Sequence, residues 1–196
     1  MRSWLFLAAL ATASALTTGA SAYERQYKLG AGLGYETLKL AAAHDATGGS
    51  PALEVDLSYG LTDMFNLFAE ASAATPSLTR EGYSVPAEKE GAPPTEIPAV
   101  TLDGRFTALS GHAGVAYTLD VIRWIPYAGV GLGATHLRHA GVAKTRASGV
   151  AAVGLDYAMT RDLQVGAAVR MVTAPGSSES WTSYQGFLRV GYTWGW

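Results

Sequence analysis

Ser110 and His112 lie two residues apart, so on a β-strand they share one face, close enough for a hydroxyl–imidazole pair of the kind that activates a nucleophile. His136, Arg138 and His139 form a second basic group and His44-Asp45 a third, each conceivable as a metal or anion site. No carboxylate stands close in sequence to the first of these, which favours a solvated base. There is no Cys, so neither a thiolate ligand nor a thiol nucleophile is available. Gly30-x-Gly32-x-Gly34 and Gly129-x-Gly131-x-Gly133 lack the G-x-G-x-x-G spacing and no helical pattern follows them, which argues against a phosphate cradle. The expectation is therefore no catalytic residue, no metal and no cofactor.

The remaining charges make sense only on the elements that carry them. Apolar residues alternate with small or polar ones in eight runs, 27–38, 52–60, 65–73, 105–119, 125–137, 148–157, 163–173 and 184–196, and no stretch shows a period of 3.6. In 52–60, for example, Leu53, Val55, Leu57 and Tyr59 alternate with Glu54, Asp56 and Ser58. By this parity Lys28, Glu36, Glu54, Asp56, Glu70, His112, Asp156, Arg170 and Arg189 all fall opposite the apolar face. The six glycines fall on the charged face too, where they leave room for longer side chains. The links after the second, fourth and sixth runs are short, and those after the first, third, fifth and seventh are longer and more polar. The link over 74–104 is long, carries Pro76, Pro86, Pro93, Pro94 and Pro98, and sets Glu81, Glu88, Glu90 and Glu96 against Arg80 and Lys89. Its prolines are expected to limit regular pairing.

Composition narrows the class. Charged residues make up only 15% of 196, Gly numbers 23 and the net charge is −2, a poor match to a helical soluble domain or to a protein that binds nucleic acid by bulk charge. Arg2, an apolar stretch over 4–16 and the small residues Ala20 and Ala22 predict a signal peptide over 1–22, cleaved after Ala22, followed by one domain over 23–196. Nothing after it offers 18 consecutive apolar residues, so membrane insertion would require a closed barrel. Charge on a lipid face costs roughly 2–4 kcal/mol at mid-membrane, which sends the charged face inward. A soluble eight-stranded barrel would reverse inside and outside, and alternation alone does not separate the two.

The last strand does. Leu188, Val190, Tyr192, Trp194 and Trp196 alternate on one face, with Arg189, Gly191, Trp194 and Trp196 in a pattern that resembles the β-signal of bacterial outer-membrane proteins. Pro126 to Gly133 and Gly154-Leu155-Asp156-Tyr157, the latter followed by a turn and Leu163, resemble strands of the OmpA/OmpX-like outer membrane protein β-barrel family. The resemblance implies an all-β, eight-stranded antiparallel up-and-down transmembrane β-barrel in the outer membrane of a Gram-negative bacterium. It implies outer-membrane lipids and the barrel-assembly machinery as partners, an extracellular or envelope protein as a further possible partner, and no nucleic acid. Members include adhesins, small pores, structural proteins and a few lipid-modifying enzymes, so the fold leaves the activity open. In one lipid A deacylase barrel a His precedes a Ser by two residues; here the order is reversed. The reading favoured is a non-enzymatic barrel with a salt-bridged lumen and extracellular loops for surface interaction or envelope structure. A narrow pore or OmpW-like conduit and an enzyme on lipid A or phospholipid are the alternatives. Within the lumen Glu36, Glu54, Asp56, Glu70, Arg170 and Arg189 are expected to cluster, with Arg189 meeting Glu36 where the last strand closes on the first. Tyr59, Tyr117, Tyr157, Trp194 and Trp196 are expected to form a girdle.

Overall fold

A computed structural model describes residues 25–41, 46–80, 83–85, 95–97, 100–101, 106–119, 123–176 and 180–195. The strands are β1 (Tyr27–Ala41), β2 (Ala46–Gly60), β3 (Phe65–Ala74), β4 (Ser77–Arg80), β5 (Tyr83–Val85), β6 (Thr95–Ile97), β7 (Val100–Thr101), β8 (Thr107–Thr118), β9 (Trp124–His139), β10 (Val142–Ala158), β11 (Leu163–Ala174) and β12 (Ser180–Trp194). Eight of them, β1, β2, β3, β8, β9, β10, β11 and β12, pair with their neighbours in antiparallel order, and β1 pairs with both β2 and β12, which closes the barrel and removes its edges.

The register fixes how far the strands tilt. Paired residues followed once around the wall run Tyr27, Tyr59, Leu67, Val115, Val130, Ala151, Met171, Tyr184 and then Thr37, ten residues up the strand where the circuit began. A sheet closed with that stagger must tilt against the barrel axis, and eight strands leave an interior that side chains just fill.

Alternation decides which side is which. Leu33 is 67% exposed, Leu132 78% and Leu188 73%, whereas Glu54 is 3% exposed and Asp156 2%. Apolar outside and charged inside is the inverse of a soluble barrel and the arrangement a bilayer demands. At the end with the short turns an aromatic girdle forms: Tyr27 packs on Tyr59 and Trp194, Phe65 on Tyr117, and Trp124 on Tyr157. Two of those turns share one device. Thr62 Oγ1 accepts from the amide of Phe65, and Thr160 Oγ1 from that of Leu163.

The opposite end departs from the sequence reading in three places. The stretch Gly48-Gly49-Ser50-Pro51 has the composition of a turn, yet β2 begins at Ala46 and pairs with β1 throughout. Glycine is what allows this. A Cβ on Gly49 would sit 2.6 Å from the Tyr35 hydroxyl, which lies across it. β9 and β10 continue beyond the expected strand limits and join through a two-residue turn, Ala140-Gly141, with φ of 46° and 83°, so the loop expected there is a tight hairpin. The long link is also partly paired. β4 extends the β3 side and pairs with β2 and β7, and β5 pairs with β6. Pro76 falls between β3 and β4; Pro86, Pro93, Pro94 and Pro98 lie outside the described residues. Where Pro76 breaks the ladder, Ser50 Oγ accepts the amide of Thr75 at 3.1 Å.

Candidate functional site

The lumen is the candidate site, and it is layered along the barrel axis. The bottom layer lies at the end with the short turns, the periplasmic end in barrels of this kind. There Lys28 from β1 donates to Asp156 of β10 at 2.7 Å, and Arg189 from β12 grips the same carboxylate with two bonds of 2.9 and 2.6 Å. The register explains this reach. Gly166 on β11 lies between its partners Asp156 and Arg189, and a Cβ there would run into the Asp156 carboxylate. Asp56 on β2 lies 3.6 Å from Arg189, and a Cβ on neighbouring Gly30 would collide with it. The Arg189 guanidinium also lies over the Tyr127 ring, 4.7 Å from its centroid.

The layer above is built from Glu54, Glu70 and Arg170. Arg170 Nη1 stands 2.5 Å from Glu54 Oε2, a close ionic contact, and Nη2 stands 3.2 Å from Glu70 Oε2. Phe187 backs the guanidinium at 5.2 Å. Glu70 Oε1 lies 3.6 Å from His112 Nδ1, and His112 Nε2 is 2.9 Å from Ser148 Oγ. Thr135 donates to Ser148 at 3.0 Å and lies 3.2 Å from Ser110. Above this, Leu38, Leu78, Phe106, Leu137 and Trp181 close the extracellular end as an apolar cap. Leu78 is fully buried, and it and Phe106 stand at the two roots of the long second loop.

Most residues singled out from the sequence now have a place. Glu54 and Glu70 meet Arg170, and Asp56 lies beside Arg189. Glu36 stands apart from this group. Its register partner is Gln185 while that of Arg189 is Gly32, a slip of four residues that parity cannot reveal, and it accepts instead from Ser183 at 2.8 Å. Ser110 does not pair with His112, which turns to Ser148 two strands away. Ser148, His112 and Glu70 form a hydroxyl–imidazole–carboxylate series. Ser148 is 4% exposed and His112 5%, and Glu70 is shared with Arg170, so the series is buried inside the lumen. His136 bonds Thr145 and His139 stacks on Phe106, and no group of three metal-ligating side chains occurs among the described residues. Gly191 packs beside the Lys28 stem and Trp194 stacks on Tyr27 and Tyr192. Ala20, Ala22, Trp196, His44 and Asp45 lie outside the described residues, as do the side chains of Arg80, Glu81, Glu88, Lys89, Glu90 and Glu96. The sequence reading put Lys28 and Asp156 in the lumen but did not join them to the cluster, and it missed the cap altogether.

A closed antiparallel barrel with an apolar wall, an aromatic girdle and an ion-paired interior is a transmembrane β-barrel. The chain belongs to the outer membrane protein beta-barrel domain family, whose model matches residues 6–194, and this places it in the outer membrane of a Gram-negative bacterium. Among solved structures it is similar to the outer membrane protein OprG of Pseudomonas aeruginosa, at 11% identity and a TM-score of 0.59 over 88% of this chain and 97% of that one. It is also similar to Neisserial surface protein A, at 17% identity and a TM-score of 0.55 over 90% and 98%. A third is the N-terminal barrel of Pseudomonas aeruginosa OprF, at 14% and 0.50 over 87% and 98%. At these identities the likeness is one of fold. No curated protein matches the sequence.

Proposed function

We propose that the protein is a non-enzymatic, non-conducting outer-membrane barrel that holds its extracellular hairpins rigidly above the membrane, for contact with a surface partner or for envelope structure. The observation that carries this reading is the double closure of the lumen. An ion-paired layer around Arg170 and an apolar cap around Leu78 and Phe106 lie in series across an interior only eight strands wide. Above the cap the wall continues as the β9–β10 hairpin and the paired segments of the second loop. The terminal strand with Arg189, Gly191, Trp194 and Trp196 would be read by the barrel-assembly machinery, and the apolar wall would be solvated by outer-membrane lipid.

Single-channel recording in planar bilayers tests the reading. The refolded protein should give no discrete current steps, and regular steps would put a narrow pore in its place. One observation favours that second reading, a small cavity that enters the lumen from the periplasmic end. Lipid A from cells with and without the gene should have the same mass spectrum; a lost or gained acyl chain would make the protein an enzyme.

A further inference from the structure

The lipid-facing wall is not uniform. Across β1, β2, β3 and β8 it carries a groove of about 510 Å³, and no charged side chain lines it. Small residues make the hollow: Gly34, Ala52, Ala73 and Ala74 line it, between the larger side chains of Leu33 and Leu53. Leu33 pairs with Leu53 and Leu53 with Ala73, so the alternation that turns both leucines outward opens the groove to the bilayer and not to the lumen. A smooth wall asks only for fluid lipid. A hollow leaves contacts unmade that one ordered chain can supply.

A cation stands at the top of this groove. Thr107, on its β8 side, is the register partner of Arg138 on β9. Arg138 is exposed on the outward face of β9, in step with Val130 and Leu132, and it makes no ion pair among the described residues. His136, next below it on that face, is held by Thr145 at 2.8 Å. Depth decides what the guanidinium meets. A strand that rises about 3.3 Å per residue at a tilt of about 40° climbs roughly 2.5 Å per residue along the membrane normal. By that measure Arg138 stands about 35 Å above Trp124 of the girdle, and Leu33 about 15 Å above Tyr27. The apolar band of such a barrel is about 25 Å tall. The groove therefore lies in the outer half of the band, and Arg138 lies just beyond it, at the level of the lipid headgroups.

We propose that this face of the outer wall seats one phosphorylated lipid of the outer leaflet, with an acyl chain in the groove and a phosphate on Arg138. The guanidinium offers paired donors to the phosphate oxygens, and the groove offers packing along the chain. An anionic headgroup fits because β8, β9 and β10 carry no acidic side chain on their outward faces. The seat lies outside the lumen and does not depend on whether the lumen conducts.

Native mass spectrometry of the refolded barrel in detergent tests the seat, with lipid A that carries its phosphates as the probe. One lipid A should stay bound per barrel. Arg138→Gln should lower the bound fraction several-fold. Ala73→Phe should do the same, because it fills the groove from the lipid side and leaves the lumen untouched. Diacylglycerol, which has chains and no phosphate, should bind far less than lipid A. Equal binding by the wild type and either variant, or by diacylglycerol and lipid A, would overturn the seat. Displacement of lipid A by millimolar inorganic phosphate would also overturn it, by showing an anion site in which the groove has no part. Should Ala73→Phe not refold, Leu53→Ala decides, because it removes one wall of the groove. Weaker binding then supports the seat and unchanged binding overturns it.

Discussion

Asp156 and Arg189 show what a residue must satisfy inside this barrel. Two cations and one carboxylate share a space from which bulk water is largely excluded, and every bond leans on a glycine in the strand between. Removing one member of such a group leaves a buried charge uncompensated, which typically costs about 3–5 kcal/mol. Arg189→Ala should therefore lower the urea midpoint of the refolded barrel strongly. Arg123→Ala, which removes an exposed contact to Tyr157 at 3.4 Å, should leave it unchanged. Equal small effects would mean that Arg189 is hydrated, and the ion-paired plug would have to be given up. Gly166→Ala is the more selective probe. It alters no charge, yet its methyl group meets the Asp156 carboxylate, and it too should destabilise.

Strands and turns were unequally legible in the sequence. Parity placed Lys28, Asp156, Arg170 and Arg189 on the inner face because a strand alternates strictly and a bilayer forbids charge on the other side. Register was not legible. Glu36 meets Ser183 and not Arg189 because the stagger at closure is a property of the whole circuit, written in no single strand. The upper strand ends were misread for a different reason. Above the bilayer no lipid enforces alternation, so the second run read as beginning only at 52, and a wall strand carried on into a hairpin looked like a loop. The turn at Ala140-Gly141 gives a test at this scale. Ala140 holds a positive φ that a side chain disfavours by roughly 1–2 kcal/mol, so Ala140→Gly should slow amide exchange along the β9–β10 hairpin. Faster exchange would show that the turn is not formed as described. The terminal strand gives another. Deleting Trp196 should reduce the amount inserted in cells while refolding into detergent persists, and unchanged outer-membrane levels would remove the assembly role.

For the molecule as a whole, two seals in series carry a prediction that neither carries alone. Leu78→Ser with Phe106→Ser should wet the extracellular end yet leave planar bilayers silent, because the Arg170 layer still closes the lumen below. Current steps in that variant would show that the cap is the sole barrier. The ion pairs also bear on how such a barrel comes to exist. Lys28–Asp156, Asp56–Arg189 and Glu54–Arg170 each join one of the first two wall strands to one of the last three. An open sheet of five or six strands can form its hydrogen bonds but leaves these charges without their partners. These three pairs therefore reward the finished circle, and the final seam between β1 and β12 is what brings their partners together.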